Sequence, residues 1–250
     1  MEPLFLAAPL AEFREAVARA ADWGVTGIMG TPGTLGALAG DCPDSLGLMA
    51  IGQGRPQDCE LEIDFQAVEP GQSGGPEGQE DASFTLDLRG SERPMALSAI
   101  ESALNGAAPL PAAVLLGAES EDALEALAGF DDVAVFVPGD AFASGYRLGA
   151  GSHFGVLTSL HPRSAVRAAE LAAEDVTGAL DVELRLQRFL EAKVEPLVHR
   201  LRIGRADREG LLLEILGWIA VSEPRIDPAV AQRLEVSLRQ DVPELFADVP

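Results

Sequence analysis

Lysine is nearly absent from this sequence. Lys193 is the only one among 18 basic residues in a chain of 250, so a reaction that runs through a side-chain amine has a single group to draw on. Tyrosine is as scarce, with Tyr146 alone. The two cysteines, Cys42 and Cys59, sit in loop-like stretches without metal-ligand spacing and read as reduced thiols of a cytosolic protein. No apolar run reaches the roughly 18 residues of a membrane span. The amino end lacks the basic start and apolar core of a secretion signal, so the expected location is the cytoplasm. Positive charge is also short. Forty acidic residues against 18 basic ones leave a net charge of −22, which argues against a nucleic-acid partner, because a phosphate backbone needs a basic face.

Apolar residues are plentiful, at 47%, enough for one sizeable core. The most informative stretch is Asp132–Pro162. Val133–Val137 reads as a buried strand, a Pro-Gly-Asp loop and short helix follow, and His153–Leu160 reads as a second buried strand. Near-continuous apolar runs of this length are expected of parallel strands covered on both faces, and a helix between them makes a βα unit. Further strands are expected at Leu4–Ala8, Val25–Gly30, Leu46–Ile51, Glu60–Phe65, Ser83–Leu88 and Ala112–Leu116. Val68–Ala82 is Gly-, Pro- and Glu-rich and reads as an excursion. After Pro162 the pattern is helical, with segments Arg163–Ala173, Leu180–Leu201 (interrupted near Pro196), Arg208–Ala220 and Pro228–Arg239. The expected fold is α/β, a (β/α)8 barrel over residues 1–175 with its second and third helices shortened, followed by a helical extension over 176–250. An open doubly wound sheet is the alternative, but it lacks a Gly-rich turn after the first strand.

Four segments then resemble the dihydrodipicolinate synthase / N-acetylneuraminate lyase family of class I aldolases. These are Gly24–Gly33 (GVTGIMGTPG), Gly117–Asp122 (GAESED), Gly139-Asp140 with Leu148-Gly149-Ala150, and His153–Pro162. The resemblance implies a pyruvate-type lyase in which a lysine at the end of strand six forms a Schiff base with a 2-oxo acid. A strand-five tyrosine would relay protons, and a Thr-Thr pair after strand two would hold the carboxylate. At the matching positions this chain has Gly117 for the lysine and no tyrosine near Asp87-Leu88-Arg89. It keeps Thr31 but replaces the second threonine by Pro32, which removes a backbone donor. The expectation is therefore a barrel without Schiff-base chemistry.

On that barrel the carboxyl ends of the strands would present Thr31, Arg55, Asp64, Asp87, Arg89, Glu119, Asp140, Ser159 and His161. The candidate catalytic set is His161, Asp140, Glu119 and Asp87, the carboxylates serving as acid–base groups or oxygen ligands and the imidazole as a base titrating near neutrality. Against this, His161 reads more readily as a loop residue that caps the following helix or faces solvent, and Asp140 as a turn aspartate. Gly30, Thr31, Gly33, Arg89 and Ser159 are the candidate binding set for a small anionic metabolite. No cofactor is implied. The segment Leu211–Ile219 is too apolar for a solvated helix and is covered either by the other tail helices or by a second subunit, which makes a homo-oligomer the expectation. Three functions stay open: a barrel that at most binds an anionic metabolite, a lyase-type enzyme with acid–base or metal chemistry, and a partner of an active paralogue.

Overall fold

Eight short segments pair edge to edge, all in parallel. The computed structural model describes residues 2–6, 22–30, 47–50, 67–68, 85–87, 113–116, 127, 133–203, 208–218 and 224–250. The strands are β1 (Glu2–Leu6), β2 (Gly27–Gly30), β3 (Gly47–Ala50), β4 (Ala67–Val68), β5 (Thr85–Asp87), β6 (Ala113–Leu115), β7 (Ala134–Pro138) and β8 (Ser152–Phe154). Their order is β3-β2-β1-β8-β7-β6-β5-β4. First and last strands thus lie side by side at the middle, the cyclic order of an α/β barrel. The fold is α/β with a parallel sheet. The expected shortening of the second and third helices falls outside the described residues.

Register fixes the two faces, because partners in a parallel ladder share a side. Leu115, Phe136 and Ser152 form one row across β6, β7 and β8. Val137 and His153 belong to the opposite face. The Val137 side chain lies against Gly145, and His153 Nε2 is 3.1 Å from the Ala165 carbonyl. Both contacts are to helices, so the first row faces away from them.

Two expectations are corrected here. Residues Val156–Leu160 are a helix, not the second half of β8. The strand stops at Phe154, Gly155 turns the chain at φ 77°, and all five helical residues are buried. A short apolar run fits a buried strand and a fully buried helix equally well, and only the glycine's left-handed backbone separates them. The fourth strand is Ala67–Val68, which takes in the first residue of the expected excursion. The segment Glu60–Phe65 lies outside the described residues.

The helices are α1 (Phe142–Arg147), α2 (Val156–Leu160), α3 (Pro162–Glu174), α4 (Val176–Phe189), α5 (Glu195–Leu201), α6 (Arg208–Leu216), α7 (Pro228–Asp241) and α8 (Pro243–Phe246). A 3-10 turn, Gly139–Ala141, precedes α1, and a π-helical stretch, Leu190–Val194, joins α4 to α5. That irregularity sits where Pro196, in the first turn of α5, has no N–H to give to the preceding turn. Helices α3 and α7 open on Pro162 and Pro228, with His161 Nδ1 and the Asp227 carboxylate accepting from the first-turn amides. A single apolar cluster runs from Phe142 through Ala168, Leu186, Leu212 and Leu238 to Val249, so helices on both sides of residue 175 share one core. Helix α6 is buried from Gly210 to Ile215, as a helix apolar on all sides must be. It packs against α2 and α7, so other helices of the same chain cover the apolar segment.

The carboxyl ends of β7 and β8 are locked by a close approach. A Cβ on Gly139 would stand 2.9 Å from the Leu157 nitrogen and 3.2 Å from the Phe154 carbonyl oxygen. Both are backbone atoms that cannot rotate aside. Gly139→Ala is expected to lower the unfolding free energy by about 2 kcal/mol through forced separation of the 3-10 turn from α2. Denaturant titration checks this, and an unchanged midpoint would refute it.

Candidate functional site

The end of β7 delivers the chain into the 3-10 turn that carries Asp140. Gln187 of α4 donates from Nε2 to the Asp140 carbonyl at 2.7 Å. The Asp140 carboxylate lies 4.0 Å from Nη2 of Arg208, which is closer, at 3.1 Å, to Glu195. One turn further on, the amides that open α1 meet a carboxylate from α4. Ala143 and Ser144 donate their backbone N–H groups to Glu183 Oε2 at 2.6 and 3.0 Å, and the Ser144 hydroxyl donates to Oε1. Glu183 is only 3% exposed. Burial pushes its carboxyl above the ordinary range; the three donors pull it back in part, and the negative Asp140 nearby adds to the rise.

His161 belongs to a different neighbourhood. It stands beyond α2 rather than at the strand end, and caps α3 by accepting the Arg163 amide on Nδ1 at 3.2 Å. Its ring stacks on Trp23 at 4.7 Å and tilts against Trp218 at 5.9 Å, and the residue is 3% exposed. Ser159 is buried in α2, its carbonyl accepting from Trp218 Nε1 at 2.9 Å, while its hydroxyl makes no hydrogen bond. Arg208 and Leu216 end α6, whose axis rises about 12 Å between them. Asp140, near Arg208, and His161, against Trp218, therefore lie toward opposite ends of this helix.

Of the other sequence candidates, Asp87 ends β5 and Gly30 ends β2. Glu119, Thr31, Gly33, Arg89, Arg55 and Asp64 lie outside the described residues. Lys193 is exposed on the π-helical stretch, and Tyr146 is half-buried against the helical core. Among the described residues, no three His, Cys, Asp or Glu side chains converge as a metal site, and no helix is long and apolar enough to cross a membrane.

Two features escape a reading of the sequence. Glu183 looks like one more charge on a helix that also carries Asp181, Arg185 and Arg188. Its spacing from Ala179 and Leu186, however, puts it on the buried stripe of α4, and that position was the available signal. The Trp23–His161–Trp218 cluster joins residues far apart in the chain, and no local pattern marks it.

The sequence matches no family model and no curated protein. Solved structures do match. A putative dihydrodipicolinate synthetase from Pseudomonas aeruginosa aligns with a TM-score of 0.66 at 12% identity, over 97% of this chain and 98% of that one. Dihydrodipicolinate synthase from Cyanidioschyzon merolae, solved with lysine bound, gives 0.69 at 10% identity over 97% and 98%. N-acetylneuraminate lyase from Fusobacterium nucleatum gives 0.63 at 14% over 96% and 98%. Coverage of nearly the whole of each chain means that the resemblance extends to the helices after residue 175. The chain has the fold of the dihydrodipicolinate synthases and N-acetylneuraminate lyases.

Proposed function

We propose that the chain is a divergent member of the dihydrodipicolinate synthase / N-acetylneuraminate lyase family, a closed (β/α)8 barrel with a helical extension after residue 175. It has lost Schiff-base aldolase chemistry and at most binds a small anionic metabolite at the strand ends. The observation that carries this reading is the placement of the only lysine. Lys193 is exposed on the helical extension, while the position matching the family's strand-six lysine is Gly117. A Schiff base needs an unprotonated amine beside the substrate carbonyl, with groups positioned to move protons to and from it. A solvated amine on the surface of the extension is not placed beside a carbonyl bound at the strand ends.

The test is reductive trapping. Protein incubated with pyruvate and sodium borohydride is expected to keep its intact mass. A specific pyruvate adduct mapped to Lys193 would overturn the proposal. Retained metabolite binding is read separately from thermal shifts with pyruvate, other 2-oxo acids and sugar acids, since a ligand that binds only the folded chain raises its stability. The expected shift with a 2-oxo acid is lost in Thr31→Val. A shift with divalent cations alone, lost in Asp140→Ala, would favour acid–base or metal chemistry in its place.

A further inference from the structure

A cavity of about 260 Å3 lies between the last turn of α6 and the first half of α7. That is just below the usual ~300–1,000 Å3 of small-molecule sites. Its wall is apolar where Ile215, Pro224 and Ile226 contribute, and its polar lining consists of Glu214, Glu235 and Gln232. Among the described residues, no lysine, arginine or histidine lines it.

Glu214 is the unusual member. It is 9% exposed, and Oε2 accepts the backbone amides of Arg225 and Ile226 at 2.8 and 3.2 Å. Oε1 is buried without a hydrogen bond. A carboxylate oxygen left in that state is costly, and a cation brought alongside relieves it. One further feature gives the cavity the same sign. Helix α6 ends at Leu216, so its last carbonyls add the negative end of the helix dipole. Glu235, on the α7 side, is paired with Arg239 at 3.0 Å and its charge is offset, so Glu214 is the carboxylate that carries the argument. The Arg225 guanidinium lies over Gly210, one turn back along α6.

We infer that this cavity binds a small aliphatic ammonium, with Glu214 as counter-ion and the apolar wall taking the alkyl chain. A hard metal ion is the poorer match, because it needs a full shell of oxygen ligands. The inference is independent of what happens at the strand ends, so pyruvate trapping and this site fail or succeed separately.

The probe is n-butylammonium, titrated by calorimetry into the whole protein at neutral pH, with n-butanol and butyrate as controls. Saturable binding is expected for the amine and not for the controls. Glu214→Gln should weaken it at least tenfold, since the amide oxygen can still accept the Arg225 and Ile226 amides while the charge is gone. Gln232→Trp, at an exposed position on the rim, should block the cavity without touching the core. Equal heats for the amine and butanol would overturn the proposal. So would amine binding that survives both substitutions, or no binding to a wild-type protein of normal melting temperature.

Discussion

Acidification from pH 7 to pH 4 is expected to remove about 3 kcal/mol of stability through His153 alone. The ring is fully buried in β8 and is held neutral, with burial lowering its pKa to about 4 and the hydrogen bond to Ala165 opposing part of that shift. A carbonyl can only accept, so Nε2 carries the proton. Nδ1 is then a bare nitrogen, buried without a partner. The unfolded chain protonates this residue near pH 6.5, whereas the folded chain resists until about pH 4. Between those values the unfolded state binds more protons, so stability falls as the pH falls. His153→Leu removes the titration and roughly conserves volume. In urea titrations at pH 7, 6, 5 and 4, the advantage of wild type over the leucine variant should shrink by about 3 kcal/mol across the series. A constant difference would mean that the ring is already protonated, or solvated, at neutral pH.

The same strand shows how far sequence reasoning reaches. Ala134–Pro138 was legible to within a residue as a parallel strand because it is a short apolar run closed by Pro-Gly, whereas only His153 and Phe154 of the expected His153–Leu160 strand are in β8. Helices α3 and α7 were legible to within two residues at either end, because proline opens each and apolar residues then recur at helical spacing. The break near Pro196 was legible for the reason any helix-interior proline is. The course of the chain after Gly155 was not. VLTSL satisfies the rule for a buried strand, and only tertiary burial on all sides makes it a helix. That one misreading carried His161 to a strand end in the sequence picture, whereas the structure sets it under two tryptophans as the cap of α3. That the chain has one lysine, Lys193, by contrast, required only a count.

Glu183→Ala should cost about 3–5 kcal/mol, the largest loss from any single side chain considered. Helix α1 is six residues long and opens without a cap from its own neighbourhood, so its first amides would be orphaned. Glu183 supplies the missing acceptor from α4, 39 and 40 residues further along the chain, and ties the turn bearing Asp140 to the helical extension. Alanine leaves two backbone N–H groups and the Ser144 hydroxyl without it. Glutamine can keep its oxygen on the two amides and set its NH2 against the Ser144 hydroxyl, which can also accept, so Glu183→Gln loses the charge-assisted character of these bonds and should cost only about 1 kcal/mol. The pH dependence runs opposite to that of His153. Burial raises the Glu183 pKa in the folded chain, so between the unfolded and folded values the folded state holds the extra proton. That contribution is complete below the unfolded pKa and is lost as the pH rises through the folded one. The advantage of wild type over the glutamine variant should therefore grow on acidification, while its advantage over His153→Leu shrinks. Urea titrations of the two variants in one buffer series separate these effects. If Glu183→Ala lost less than about 1 kcal/mol, the carboxylate could not be what holds α1 to α4.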